Sequence, residues 1–288
     1  MIPARFAYDR PTSLDEALNL LSRHEGAKLL AGGQSLLPLL KLRVASADRL
    51  IDIGRLSELK GVRHREEGGV EVGALTTYRQ LAAETRLDWA REAIDNIGDV
   101  QVRNRGTVGG AIAHADPASD LPALALVLDY RVVLRSRRGE RIVPLDEFLV
   151  GPFETVIEPD EVLVAIRRGP LPQGVGGAYM NLEQPASGYS IVGVAAVVGR
   201  AHRVAGSTTF DHIRVAITGV GPVAYRARAV EDALVGTTCG QTEIADAAKH
   251  ATDGVTVNSD IHADREYRTA MAEVYVRRAL EAARARAS

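Results

Sequence analysis

RNRGTVGGAIAHADPASDLPALAL, running from Arg103 to Leu126, and AGGQSLLPLLKLR, from Ala31 to Arg43, are the two glycine-bearing stretches around which the chain is organised. In the upstream one, Ala31-Gly32-Gly33-Gln34-Ser35-Leu36 follows a short apolar run and precedes a helical pattern. Glycines at such a junction permit positive φ and close approach of backbone to a ligand. Successive backbone N–H groups there form a concave anion nest, and a following helix N-terminus adds favourable partial charge, so no Lys or Arg is needed on a phosphate. The same residues also suit a plain strand-to-helix turn. The downstream stretch repeats the chemistry. Gly106, Gly109 and Gly110 offer backbone donors, Thr107 a hydroxyl and Ala111 little bulk, and the stretch continues through His114, Asp116 and Asp120. Glycine-rich stretches of this length inside a compact domain are usually functional. Two of them far apart in sequence predict an extended ligand held from two sides.

Neither stretch is a phosphate motif of the commoner kinds. No G-x-x-x-x-G-K-[ST] occurs, and no G-x-G-x-x-G joins an early strand to a helix, so neither a P-loop nor a Rossmann site is supported. Gly174-Val175-Gly176-Gly177 is too short to count and reads as linker.

Working outward, Ser13 with Glu16 three residues on is a capping-box pattern, and Leu14, Ala17, Leu18 and Leu21 recur at helical spacing up to Gly26. Strands are expected at Lys28 to Ala31 and Arg49 to Ile53, with a short helix from Leu36 to Arg43 between them, a βαβ-like unit. Val62 to Arg65 and Val70 to Val72 flank Glu67-Gly68-Gly69, a hairpin signal. Thr77 caps a helix through Glu84, Asp88 another through Ile97, and an apolar helix ends near Leu128. A second hairpin joins Arg131 to Leu134 with Arg141 to Val143 around Gly139, and Val162 to Ile166 is a further strand. Gly169-Pro170-Leu171-Pro172-Gln173-Gly174 reads as a domain boundary. Beyond it lie strands at Ala178 to Leu182, Ile191 to Val198 and Ile213 to Thr218, then helices at Ala227 to Val235, Glu243 to Ala251 and from Arg265 onward. The last is Ala-rich with charge on one face, the pattern of a solvated surface helix.

With 288 residues, 46% hydrophobic and 25% charged, the chain suits two or three compact units. Its net charge of -2 supplies no field for nucleic acid, and its 5% of aromatic residues form no base-stacking platform. Cys239 is the single cysteine, so the chain cannot by itself close a disulfide, hold an iron–sulfur cluster or build a Cys-rich zinc site. The seven histidines at 24, 64, 114, 202, 212, 250 and 262 include no pair at the i, i+4 spacing of a helical metal site. No nucleophile–base arrangement stands out by spacing. Asp116 and Asp120 are a possible carboxylate pair, although Asp120 also suits capping of the apolar helix. The N-terminus lacks a signal pattern and no apolar run reaches membrane-spanning length, so a cytoplasmic protein is expected.

These two motifs together resemble those of the FAD-binding (medium) subunit of molybdenum hydroxylases, the carbon monoxide dehydrogenase / xanthine dehydrogenase flavoprotein family. The likeness extends over nearly the whole chain, including the opening MIPARFAYDRP. It implies an α+β architecture: a two-subdomain FAD-binding fold of the vanillyl-alcohol-oxidase (PCMH) type at residues 1–172, divided near 56, and a C-terminal α+β domain of the carbon monoxide dehydrogenase flavoprotein type at 173–288. It implies non-covalent FAD held by Ala31, Gly32, Gly33, Gln34, Ser35 and Leu36 and by Thr107, Val108, Gly109, Gly110 and Ala111. His114, Asp116 and Asp120 fall where relatives place cofactor-facing residues, Leu163 where one packs on the flavin ring, and Tyr189 where a tyrosine stands beside it. No acid–base catalytic residue is implied in this chain. Two departures stand out: Ala111 replaces a frequent Asn, and Glu183-Gln184-Pro185 stands where relatives often carry a basic cluster. By the same resemblance a large partner carries the molybdenum cofactor, a small partner carries two [2Fe-2S] clusters, and two heterotrimers pair. This chain would then pass electrons from the clusters through FAD to an external acceptor. The alternatives are a self-contained FAD-dependent reductase or oxidase of the same fold, for which the last domain shows no catalytic constellation, and an assembly protein without FAD, which the intact glycines oppose.

Overall fold

The computed structural model describes residues 2–66, 68–204 and 207–288. Three larger sheets follow one another along the chain, beside a two-stranded one formed by Leu149–Gly151 and Glu154–Thr155. The first is a three-stranded parallel sheet ordered Ala7–Asp9, Arg49–Asp52, Ala27–Leu30. Its helix Leu14–Arg23 starts where the Ser13 hydroxyl accepts the Glu16 N–H. The Glu16 carboxylate reaches past the cap to the Thr12 N–H and hydroxyl at 2.7 and 3.0 Å. Ala17, Leu18 and Leu21 face inward against Ile51, Ile53 and Leu56, as their spacing requires. The strand Ala7–Asp9 is absent from the sequence reading. Three residues with Ala7 and Tyr8 exposed carry no alternation to detect.

The second sheet is antiparallel: Val62–His64, Val70–Gly73, Val162–Arg168, Arg131–Ser136, Gly139–Pro144. Both expected hairpins form, and Glu67 lies outside the described residues. Cross-strand rows alternate in character. Val62, Val72 and Ile166 pair in register toward the helices, while Arg63, Glu71 and Arg167 face the other way. On that outer face Glu71 accepts from Arg63 at 2.6 Å, Arg65 at 2.8 Å and Arg167 at 2.5 Å. Burial pushes the Glu71 carboxyl up, but the three guanidinium groups outweigh it and hold it below its ordinary range. Helix Tyr78–Glu84 begins at a reciprocal capping box between Thr77 and Gln80. Asp88 does not cap the next helix, Asp88–Asp95. The cap position is Leu87, and Asp88 sits in the first turn near Arg91.

The third sheet, also antiparallel, runs Gly176–Glu183, Ser190–Val204, Ser207–Thr218, Tyr225–Arg226. Among the described side chains, its two long strands are buried on both faces over residues 192–198 and 213–218, with Arg214 half-buried. Ala195, Val197 and Ala216 pack with the second unit, whereas Val194, Ala196, Val198, Val215 and Ile217 pack under the C-terminal helices. Helix Asp120–Val127 is sandwiched between these sheets. All eight of its residues are buried, which is why its sequence has no polar face. Two readings need correction here. Gly176 and Gly177 are more than linker: a Cβ on Gly176 would fall 2.2 Å from Ala283 O, and one on Gly177 would fall 2.2 Å from the Trp89 ring. They let the last helix and the second unit close onto the sheet. Helix Arg265–Arg286 is also no freely solvated surface helix, since Ala272, Val276, Ala279, Leu280 and Ala283 are buried. Its Arg268 reaches inward to Ile191 O and Gly219 O at 2.6 and 2.7 Å and to Asp260 at 2.6 Å.

Candidate functional site

The first glycine motif leaves strand Ala27–Leu30 and enters helix Leu36–Leu42. Gly33 turns the chain at φ +75°, the left-handed region that glycine occupies without strain. Gly32 answers a different demand. A Cβ there would lie 2.0 Å from Arg105 O and 3.1 Å from Gly106 Cα, so the two glycine motifs meet backbone to backbone at this point. Among the described residues, the N–H groups of Gly32, Gly33, Gln34 and Ser35 donate to no protein acceptor. Four consecutive free donors on a turn form an anion nest.

The second motif is mostly helical, which its glycines concealed. Helix Val100–Arg105 ends at Gly106, and Thr107 caps helix Val108–His114 by accepting the Gly110 N–H at 3.2 Å. Its donors are largely committed inside the protein, contrary to the sequence reading. The Val108 N–H goes to Thr76 O at 2.9 Å, Gly109 to Ala74 O at 2.8 Å and Ala111 to Thr107 O at 3.0 Å. Val108 is fully buried. Gly109 is glycine for packing, because a Cβ would lie 2.5 Å from Ala74 Cβ. Gly110 is exposed, and a Cβ there would meet only the Thr107 side chain. Two antiparallel contacts, Tyr78 N–H to Gly106 O at 3.1 Å and Val108 N–H to Thr76 O, tie the motif to the segment ending in Thr77.

Between the motifs opens a cleft of roughly 360 Å³, lined among others by Ala31, Gly32, Thr107 and the cationic side chains of Arg10, Arg55 and Lys60. Tyr8 and Arg10 reach Asp52 across its wall at 2.5 and 3.4 Å. Burial pushes the Asp52 carboxyl up, but hydrogen bonds from Tyr8, the Gly54 N–H and Arg10 hold it below its usual range. Sequence reasoning missed Arg10, Asp52, Arg55 and Lys60. They carry no local motif, and only the parallel sheet brings them beside the nest.

The remaining expected residues, His114, Asp116, Asp120, Leu163 and Tyr189, are not part of the cleft's lining. His114 lies against Phe153 with ring centroids 5.1 Å apart, and burial lowers its pKa. Asp116 accepts the Ala118 N–H at 2.9 Å. Asp120 is buried, and its carboxylate is committed to the third unit: Tyr179 and Ser190 both donate to Oδ1, the latter at 2.6 Å. Burial raises the Asp120 pKa despite these bonds. Asp120 does not cap its helix, where Ser119 holds the cap position. The Thr218 hydroxyl adds bonds to Pro117 O and Ser119 O at 2.8 and 2.9 Å, so the segment after the second motif is latched to the C-terminal sheet. Leu163 is 5% exposed, at an irregularity in strand pairing, and Tyr189 is 47% exposed at the base of a tight turn, its carbonyl accepting the Gln184 N–H. Among the described residues no group of His, Cys, Asp and Glu is placed to hold a metal, and His202 falls outside the described side chains.

Residues 4–170 match the FAD binding domain in molybdopterin dehydrogenase, and residues 177–283 match the CO dehydrogenase flavoprotein C-terminal domain. The chain belongs to the FAD-binding molybdopterin dehydrogenase family. It is 42% identical to the carbon monoxide dehydrogenase medium chain of Hydrogenophaga pseudoflava, covering 99% of each. It is 35% identical to the glyceraldehyde dehydrogenase medium chain of Sulfolobus acidocaldarius, covering 98% of this chain and 99% of that one. A solved structure of the Hydrogenophaga pseudoflava carbon monoxide dehydrogenase, which lacks the Mo-pyranopterin moiety of the molybdenum cofactor, superposes with a TM-score of 0.94 over 100% of both chains. The recognition on two motifs and the α+β fold are thereby borne out, and the chain is the FAD-binding subunit type of an oxidoreductase. The residues present fit that cofactor. The nest supplies unpartnered N–H groups for a pyrophosphate, and the cationic cleft beside it suits the rest of an anionic dinucleotide. Among the described residues no helix is long and apolar enough to cross a membrane.

Proposed function

We propose that this chain carries FAD as the electron-transfer subunit of a molybdenum hydroxylase complex. It takes electrons from the [2Fe-2S] clusters of a small partner subunit and passes them to an external acceptor. The observation that carries this is the row of four free backbone donors at Gly32–Ser35, pinned against the second motif by the Gly32–Arg105 contact. Ala31, Gly32, Gly33, Gln34, Ser35 and Leu36 hold the pyrophosphate. Thr107, Gly110 and Ala111 border it, while Val108 and Gly109 fix the shape of that border from beneath. His114, Asp116, Asp120 and Leu163 shape the flavin end, and Tyr189 covers it from the C-terminal domain. Bound FAD supplies the junction between one-electron and two-electron chemistry, and the protein binds, orients and shields it.

One cysteine cannot ligate two clusters, so the relay belongs to another polypeptide and the metal chemistry to a large molybdenum subunit. Two heterotrimers pair in the working enzyme, and the chain divides functionally at 1–172 and 173–288. Relatives of similar likeness act on carbon monoxide and on glyceraldehyde, which accords with a substrate bound by the large subunit. Removing FAD from the native complex tests this. The deflavinated complex should still oxidise substrate with a dye that draws electrons from the clusters, and should lose transfer to its physiological acceptor until FAD is restored. Unchanged transfer to that acceptor without flavin would refute the proposal.

A further inference from the structure

The cleft beside the nest holds cations that its own residues do not balance. Arg55 follows the strand Arg49–Asp52, Lys60 follows the short turn Ser57–Leu59, and Arg105 ends the helix Val100–Arg105, so three separate elements each deliver a cation to the lining. Among the described residues none of the three makes an ion pair or a side-chain hydrogen bond, and Lys60 is half-buried. Asp52 is the one carboxylate in the lining, and it is already engaged: Oδ2 accepts from Tyr8 and Arg10, and Oδ1 accepts the Gly54 N–H at 2.9 Å. Glu67, outside the described residues, comes after the strand Val62–His64, whereas Lys60 comes before it. A cleft lined by one sign of charge concentrates ligands of the other.

The rest of the lining selects among anions. Thr77, Gln80, Asn104 and Thr107 bring hydroxyls and amides, Ala31 and Leu75 bring the apolar side chains, and no lining side chain is aromatic. An isoalloxazine is a wide, neutral tricycle that needs mostly apolar walls. A ribose, phosphates, and an adenine on whose face a guanidinium can stack suit this lining far better. His114, Leu163 and Tyr189 stand outside it.

We propose that this cleft holds the adenosine-diphosphate half of FAD, that Arg55, Lys60 and Arg105 set the affinity for that half, and that ADP without a flavin occupies it. The inference rests on the FAD reading above and adds a direction to it. The adenosine lies on the Arg55 and Lys60 side of the nest, which leaves the isoalloxazine to the end formed by His114, Leu163 and Tyr189.

The test is competition on the deflavinated native complex, with FAD uptake followed by its fluorescence and with ADP and FMN as competitors. ADP should displace FAD at least about tenfold more effectively than FMN, and its hold should weaken with added salt, because cations at the surface are screened. The triple variant Arg55→Gln, Lys60→Gln, Arg105→Gln should bind ADP at least about tenfold more weakly, with a flatter salt dependence, and should change FMN binding less than ADP binding. None of the three side chains has a partner to lose among the described residues, so the variant should keep its fold, which circular dichroism checks. FMN displacing FAD as well as ADP does, no displacement by ADP at millimolar concentration, or unchanged ADP affinity in the triple variant would each overturn the proposal. Uptake of FAD that ADP does not affect would strike the cleft assignment alone. Uptake of ADP by a complex that takes up no FAD would strike the cofactor reading, and the assignment of the cleft to FAD with it.

Discussion

Gly32→Ala is the sharpest probe of how the cofactor site is built. The added methyl would sit 2.0 Å from Arg105 O and 2.8 Å from the Arg105 carbonyl carbon. Neither neighbour is a flexible side chain, so the two backbones must separate by about 1 Å before the contact is tolerable in a close-packed interior. Overpacking of this kind costs about 1–3 kcal/mol of stability. The larger effect is on the ligand, because the separation turns the nest away from the second motif. A hydrogen bond to a charged group is worth about 1.5–3 kcal/mol, so losing good geometry at two of the four donors removes at least about 3 kcal/mol, roughly a hundredfold in FAD affinity. FAD release is followed by the rise in flavin fluorescence on dilution, and folding by thermal melting. Gly236→Ala is the control. It places Ala at φ +80° with nothing within 4 Å of the new Cβ, so it carries backbone strain without a clash and far from the nest. It should lower stability by about 1 kcal/mol and leave FAD untouched. Wild-type FAD affinity in Gly32→Ala, or equal FAD loss in both variants, would refute the reasoning.

Five further substitutions, at four positions, separate the roles assigned above. Gly110→Val should keep the fold and lose FAD, since its Cβ meets only Thr107 Oγ1 at 2.7 Å, whereas Gly109→Val should unfold the unit against Ala74; circular dichroism with flavin content distinguishes them. Asp120→Ala should cost about 2 kcal/mol by stranding the Tyr179 and Ser190 hydroxyls, while Asp120→Asn keeps an acceptor. The folded-state pKa of Asp120 is raised, so its contribution is complete below the unfolded value of about 3.9 and is lost as pH rises through the folded value. Asp120→Asn should therefore gain on the unaltered protein as pH rises, a trend that urea midpoints at several pH values will show or deny. Glu71 is shifted the opposite way, so its contribution is present above its unfolded pKa and lost as pH falls through the folded one. Glu71→Gln should cost about 2 kcal/mol at neutral pH, with the difference shrinking on acidification in the same urea series.

Elements with a buried face and a cap were legible in the sequence. Ser13 and Thr77 cap where expected, both hairpins form, and Ala17, Leu18 and Leu21 line one helix face. Legibility failed where one residue type serves two purposes. Glycines at 106–110 read as backbone donors for a ligand, yet Gly109 and Gly110 form a helical turn, and at Gly109 small size serves packing, the propensity of glycine against helix being overridden by the close approach to Ala74. Asp88 and Asp120 looked like caps because that is the commonest use of Asp before an apolar run. Asp120 instead reaches a hydroxyl pair more than fifty residues away in sequence, which no local pattern encodes. The first motif was the most transparent part of the site, because both of its glycines meet a backbone requirement. The cations of the cleft were invisible, since the parallel sheet alone assembles Arg10, Arg55 and Lys60 beside the nest.

The central claim is that this chain holds FAD and receives its electrons from iron–sulfur clusters on another polypeptide. Purification of the native protein, with its absorption spectrum and metal content recorded before and after anaerobic addition of substrate, tests it most directly. The account predicts co-purification with a Cys-rich small subunit and a large molybdenum subunit, about one FAD and four irons per copy of this chain, and bleaching of both the flavin and iron–sulfur bands by substrate. A stable, active, metal-free flavoprotein with no partner, or a complex whose clusters are reduced while its flavin stays oxidised, would contradict it.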